Sequence, residues 1–125
     1  MIQTLEIFKA LSDLNRLRIV AALGRYDELC ACQITELLQV TGATASRHLS
    51  VLQQSGVLDS RKEGRWIYYR LAPPVGTKAV FRWVNESTVS SKEIMADVQA
   101  LEKIVEIGRE DLCRMQRGEE CCPRK

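Results

Sequence analysis

The chain has 125 residues, a formal net charge of +2, 46% hydrophobic and 27% charged residues. That is the size of one domain, with enough apolar content for a core and enough charge to keep the surface solvated. A charge of +2 does not by itself mark a polyanion binder, so any case for nucleic acid rests on where the basic residues lie. No stretch approaches the roughly 20 apolar residues of a membrane span. Met1 to Ala10 carries Glu6 and Lys9 inside its apolar pattern and lacks a signal-peptide layout, so the expected location is the cytoplasm, with no membrane partner. Five cysteines is an odd number, which excludes a complete intrachain disulfide framework. In a reducing compartment they are expected as thiols.

Helices dominate the pattern. Leu5, Phe8 and Leu11 repeat at helical spacing and predict a short first helix. Asp13 can cap a second, running to about Leu23, with Leu14, Leu17 and Val20 on its buried side and Gly24 as its stop. Arg25 to Ala31 reads as a loop. A third helix is expected from Cys32 or Gln33 to about Gln39, burying Ile34, Leu37 and Leu38. Val40-Thr41-Gly42 then makes a tight turn, with Thr41 as N-cap of a fourth helix from about Ala43 to Ser55 that buries Leu49 and Leu52. Gly56 fits a C-terminal glycine cap. Two helices joined by so short a turn are the helix-turn-helix signature.

Val57 to Lys62 and Trp66 to Leu71 flank Glu63-Gly64-Arg65 as the arms of a hairpin, the second arm rich in aromatic and β-branched residues. A hairpin directly after a helix-turn-helix makes a winged helix. Pro73-Pro74 breaks the chain, and Thr77 can open a helix over roughly Lys78 to Glu86. Ser90-Ser91-Lys92-Glu93 fits a capping box with Ser90 as N-cap. The helix it opens is expected to reach about Met115. Its Ile94, Val98, Leu101, Val105, Gly108 and Leu112 alternate four and three apart, a heptad seam read as a dimer interface. The expected architecture is mainly α: a winged helix-turn-helix with a two-stranded wing over residues 1–90, a dimerisation helix over 91–115, and a cysteine-containing tail over 116–125, poorly ordered unless its thiols are bound.

Two groups of residues carry chemistry. The fourth helix offers Thr44, Ser46, Arg47 and His48 in its first turns and Gln53 two turns on. Hydroxyls can bond base edges or phosphates, and arginine can bridge guanine. Helix N-terminal amides favour phosphate. Arg61, Lys62 and Arg65 at the wing tip suit the DNA backbone or a minor groove. His48 is the single histidine, which excludes a multi-histidine zinc site within one chain. Thiols must therefore carry any metal chemistry. Cys30 and Cys32 stand one residue apart in front of the helix-turn-helix, and thiolates select soft ions. That adjacency points to a switch in which a soft ion changes DNA affinity.

These residues resemble the ArsR/SmtB family of metal-responsive repressors. Ala10-Leu11-Ser12-Asp13-Leu14-Asn15-Arg16-Leu17-Arg18-Ile19 is similar to its opening motif, and Glu28-Leu29-Cys30-Ala31-Cys32 to the inducer-binding motif of its arsenic-sensing members. Ser46-Arg47-His48-Leu49, Gly56-Val57-Leu58 and the wing from Arg61 to Tyr69 resemble its DNA-binding segment. The resemblance covers roughly Leu5 to Leu71. It implies a homodimer that binds double-stranded operator DNA without a cofactor and releases it when As(III) or Sb(III) is bound. One departure is plain. Arsenic sensors of this pattern can carry a third cysteine three residues after the second, where this chain has Thr35. Either two ligands suffice or Cys113, Cys121 or Cys122 supplies the third. The zinc site of other members, on the last long helix, is not carried over because that helix has no histidine.

On an ideal helix, residues two apart point to nearly opposite sides. Sharing one ion is therefore expected to unwind the first turn of the third helix and shift the fourth within the dimer. A two-fold dimer would place its reading helices about 34 Å apart. The alternatives are a redox-sensing or a cadmium- or lead-sensing repressor of the same fold. Enzyme activity is not expected, since no Cys-x-x-Cys motif or phosphate-cradling loop is present.

Overall fold

A computed structural model describes residues 2–72 and 78–108. The elements run α1 (Ile2–Leu11), α2 (Leu14–Arg25), β1 (Leu29–Cys30), α3 (Ala31–Leu38), α4 (Gly42–Gln54), β2 (Leu58–Glu63), β3 (Trp66–Leu71), α5 (Lys78–Thr88) and α6 (Lys92–Ile104). This is a mainly helical winged helix-turn-helix. Its wing hairpin belongs to a three-stranded antiparallel sheet in the order β1-β3-β2.

Asp13 begins α2 as expected: its Oδ2 accepts from the Arg16 N–H at 3.1 Å. Gly24 does not stop α2 but lies inside it. A Cβ at Gly24 would come within 3.2 Å of the Asn85 side chain, so the glycine serves the close approach of α5. Leu14 is also corrected. It is 59% exposed, and the buried stretch of α2 is Ile19 to Leu23. On α1 the buried side chains are Ile7, Ala10 and Leu11, while Leu5 and Phe8 face outward.

The helix-turn-helix is made differently from its sequence reading. Gln39, with φ of 56°, takes the left-handed position that ends α3, and Gly42 is already the first residue of α4. Thr41 caps α4, its hydroxyl accepting from the Thr44 N–H at 3.1 Å. Gly56 carries a φ of +88° just past the C-cap Ser55. In the wing, Glu63 pairs with Trp66, so the connection is the two residues Gly64-Arg65. Gly64, with φ of +63°, supplies the left-handed angle at the first central position.

The segment read as a loop contains β1. Leu29 pairs with Tyr69 and Cys30 with Tyr68. A two-residue strand is too short to show periodicity, so nothing in its sequence announces it. The core gathers Ile19, Leu29, Ile34, Leu49, Leu52, Val57, Leu58 and Leu101, each essentially inaccessible.

The last helix begins one residue later than expected. Ser91, not Ser90, is the N-cap, and its hydroxyl accepts from the Ile94 N–H at 3.1 Å. The helix ends at Ile104, and a turn follows at Val105 and Glu106, so the heptad seam does not run through one continuous helix to Met115. Leu112 lies outside the described residues. Leu101 of the seam is fully buried in its own protomer, among residues of α2 and α3. Asp97 anchors the same face. Its carboxylate receives Arg18 Nε and Nη2, both at 2.9 Å, and Nη2 also donates to the Leu37 carbonyl at 3.1 Å.

Breaking this pair leaves a mostly buried guanidinium uncompensated. A fully buried pair costs about 3–5 kcal/mol to break from one side; these side chains are 18% and 10% exposed, which lowers the expectation. Asp97→Ala is expected to destabilise the fold by about 2–3 kcal/mol, moving the urea midpoint down by about 1–2 M. A shift too small to resolve would mean that α6 is not held by this contact.

Candidate thiol site and nucleic-acid interface

Cys30 is not helical. It ends β1 and is the N-cap of α3, with φ −73° and ψ 152°; Cys32 is the second helical residue. Because the first cysteine sits on extended backbone, the ideal-helix constraint does not apply. The two sulfurs lie 3.4 Å apart, and both residues are buried. The expected unwinding is therefore not needed to bring the sulfurs together. Gln33 fixes the corner: its Oε1 accepts from the Cys30 N–H at 2.8 Å, completing a capping box in which cysteine stands where serine or threonine is usual. Thr35, in the place of a third thiol, donates its hydroxyl to the Ala31 carbonyl at 2.8 Å, one turn back in the same helix. Tyr69 lines the neighbourhood. Burial first, and then the charge of the Cys30 thiolate, push its phenol above the ordinary value.

Two thiolates can hold a soft ion if their separation matches its bond geometry. At a bond length of about 2.3 Å, the thiolate–zinc distance, sulfurs 3.4 Å apart subtend about 95°. That is narrower than the tetrahedral angle of about 109° that zinc takes. No cluster of three or more potential ligands among Cys, His, Asp and Glu occurs among the described residues. Cys113, Cys121 and Cys122 lie outside them.

The outer face of α4 presents Ala43, Ser46, Arg47, Ser50, Gln53 and Gln54 to solvent, while Ala45, Leu49 and Leu52 seat the helix. Ser50 and Gln54 belong to this face and were missed; counting 3.6 residues per turn from Arg47 would have found them. Thr44 is half-buried, its hydroxyl accepting from that of Thr41 at 3.0 Å. His48 turns inward. Arg16 donates to its Nδ1 at 3.2 Å, and the Asp13 carboxylate is 3.9 Å away, so its ring ties α4 to the start of α2. Gln53 donates to the Ser60 hydroxyl at 2.9 Å, linking α4 to β2.

At the wing, Lys62 and Arg65 are exposed, and Arg65 stacks on Trp66 at 5.1 Å. Arg61 is not an open cation. It is gripped by Glu28 through Nε at 2.6 Å and Nη2 at 2.8 Å, and by Glu63 through Nη1 at 2.5 Å. Glu28 was overlooked as a partner because it lies 33 positions away in sequence.

Residues 13–60 match the profile described as "Bacterial regulatory protein, arsR family". The chain is 37% identical over 86 residues to the arsenic resistance transcriptional regulator ArsR2 of Pseudomonas putida, covering 69% of this chain and 70% of that protein. It is 52% identical over 62 residues to the cadmium resistance transcriptional regulatory protein CadC of Listeria innocua, covering 50% and 52%. Among solved structures, it is similar to the homodimeric winged helix-turn-helix DNA-binding domain Mb0332 of Mycobacterium bovis, with a TM-score of 0.61, 28% identity, and 72% and 82% coverage. The chain spans about half the length of several curated relatives that it matches.

Burial of both thiols has a direct consequence. Iodoacetamide should label Cys30 and Cys32 roughly tenfold or more slowly in the native chain than in urea, because reaction requires local opening. Peptide-resolved mass spectrometry reads this, and equal rates would show the corner to be open.

Proposed function

Because this chain belongs to the arsR family of bacterial regulatory proteins, we propose that it is a repressor that holds operator DNA with α4 and the wing and releases it when trivalent arsenic or antimony is taken by Cys30 and Cys32. The observation that carries this reading is the pair of sulfurs 3.4 Å apart at the corner where the wing sheet meets the helix preceding α4. An ion held there ties two elements together that each lead to a DNA-reading surface. Its third position is assigned to Cys113, Cys121 or Cys122, from the same chain or a partner, or to a non-protein donor.

On the DNA side, Ser46, Arg47, Ser50 and Gln53 face the major groove, with Arg47 as the candidate for bidentate guanine contact. Thr44 and the α4 N-terminus meet phosphate. Lys62 and Arg65 meet the backbone beside the groove, and Arg61 joins them once released from Glu28. His48 acts through the seating of α4. The working unit is a homodimer reading an inverted repeat, with its reading helices about 34 Å apart. Leu5 and Phe8 of α1, 53% and 54% exposed, are the kind of surface such a dimer covers. A cadmium-responsive regulator is the second reading, favoured by the 52% identity to CadC over 62 residues.

Anisotropy of a labelled duplex selected from a randomised pool tests both readings. With the wild type, arsenite is expected to weaken binding about 5- to 150-fold, the usual range of allosteric coupling. Cys30→Ser/Cys32→Ser should hold the duplex as the wild type does and ignore arsenite. Release of the double variant by arsenite would contradict the proposal; release of the wild type by cadmium or peroxide alone would favour the metal or redox alternative.

A further inference from the structure

Arg61 is the wing cation with the most to lose on meeting DNA. Two carboxylates already face its one guanidinium, and the Tyr68 ring lies 4.6 Å from its central carbon. Glu28 makes the two-point grip, the geometry that a phosphate would otherwise take. The grip is set in an informative place. Glu28 immediately precedes β1, and Tyr68, on which Arg61 stacks, is the strand partner of Cys30. One short strand therefore connects the thiol pair to the hand that holds Arg61.

We propose that Glu28 is a brake on the wing: a positioning residue that competes with DNA phosphate for Arg61, and whose hold is set by whether Cys30 and Cys32 are bridged. The proposal rests on the thiol-responsive reading above and names its coupling residue. Among the described residues β1 is a two-residue edge strand paired with β3; Leu29 and Cys30 are buried, so its opening is a minor state of the free protein, which a phosphate contact to Arg61 would draw out. When β1 lifts, Glu28 leaves Arg61 and the guanidinium turns to phosphate. A bridge between Cys30 and Cys32 fastens the end of β1 to the first turn of α3. Glu28 then stays on Arg61, and the wing loses a contact. Competition of this kind adds to any shift of α4 itself.

The test measures duplex affinity with and without arsenite for the wild type, Glu28→Gln, Glu28→Asp and Glu28→Gln/Arg61→Gln. Without arsenite, Glu28→Gln should bind about two- to fivefold more tightly than wild type, the range of an exposed ion pair. Its loss of affinity on adding arsenite should be at most half that of the wild type on a logarithmic scale. Glu28→Asp, which keeps the carboxylate, should restore part of the response, and the double variant should erase the tighter binding. Arsenite uptake by the Glu28→Gln thiols, followed by ultraviolet absorption, should match wild type and so report an intact fold and site. Glu28→Gln that binds DNA no more tightly, or responds to arsenite as fully as wild type, overturns the brake while leaving the regulatory reading standing. A wild type that takes up arsenite and keeps its duplex overturns the reading itself, and the brake with it.

Discussion

The pairing of Leu29 and Cys30 with Tyr69 and Tyr68 is the contact on which the rest depends. It converts the approach to α3 from loop into strand and fixes Cys30 in extended backbone. The next residue starts a helix, so the chain turns a corner in which the sulfurs at positions 30 and 32 converge instead of diverging. Gln33 locks that corner by closing the Cys30 N–H. The same two strand residues belong to the sheet that carries the wing, while α3 packs on α4. The wing sheet and the helix that seats α4 thus meet at one pair of thiols.

A corner of this kind is useful only if what it pushes against is firm. The core beneath α4 is made by Leu49 and Leu52 with Ile19, Ile34 and Leu58, and His48 and Gln53 add polar ties to α2 and β2. Arg18, on α2, joins three helices at once: its guanidinium donates to Asp97 of α6, to the Leu37 carbonyl of α3 and to Asn15 of its own helix. Against this frame β1 is the slight element, two residues at a sheet edge. The contrast between a helix tied on several sides and a two-residue edge strand is what a switch requires.

Much of this was legible beforehand because it is periodic or capped. The buried stripe of α3 and the inward Leu49 and Leu52 follow from helical spacing. Asp13 and Thr41 cap as their side chains dictate. The hairpin follows from Gly64 and the aromatic arm after it. What escaped was decided by tertiary contact. Gly24 looks like a stop until Asn85 is seen against it. Gln39 rather than a glycine takes the left-handed angle, a choice that local preference does not make. Leu14 fits a helical stripe yet stays outside. The thiols were visible as a pair, but their convergence depends on a strand partner 38 positions away, since Cys30 meets Tyr68. The engagement of Arg61 by Glu28 is hidden for the same reason.

The central claim is mechanical: a bridge across the thiols stiffens β1 and, through it, the wing. Amide hydrogen exchange on the DNA-free protein, with and without arsenite, tests it most directly. The account predicts slower exchange in the segment from Glu28 to Gln33 and also in β3, around Tyr68 and Tyr69. Protection that stops at the cysteines, with β3 exchanging as before, would contradict it.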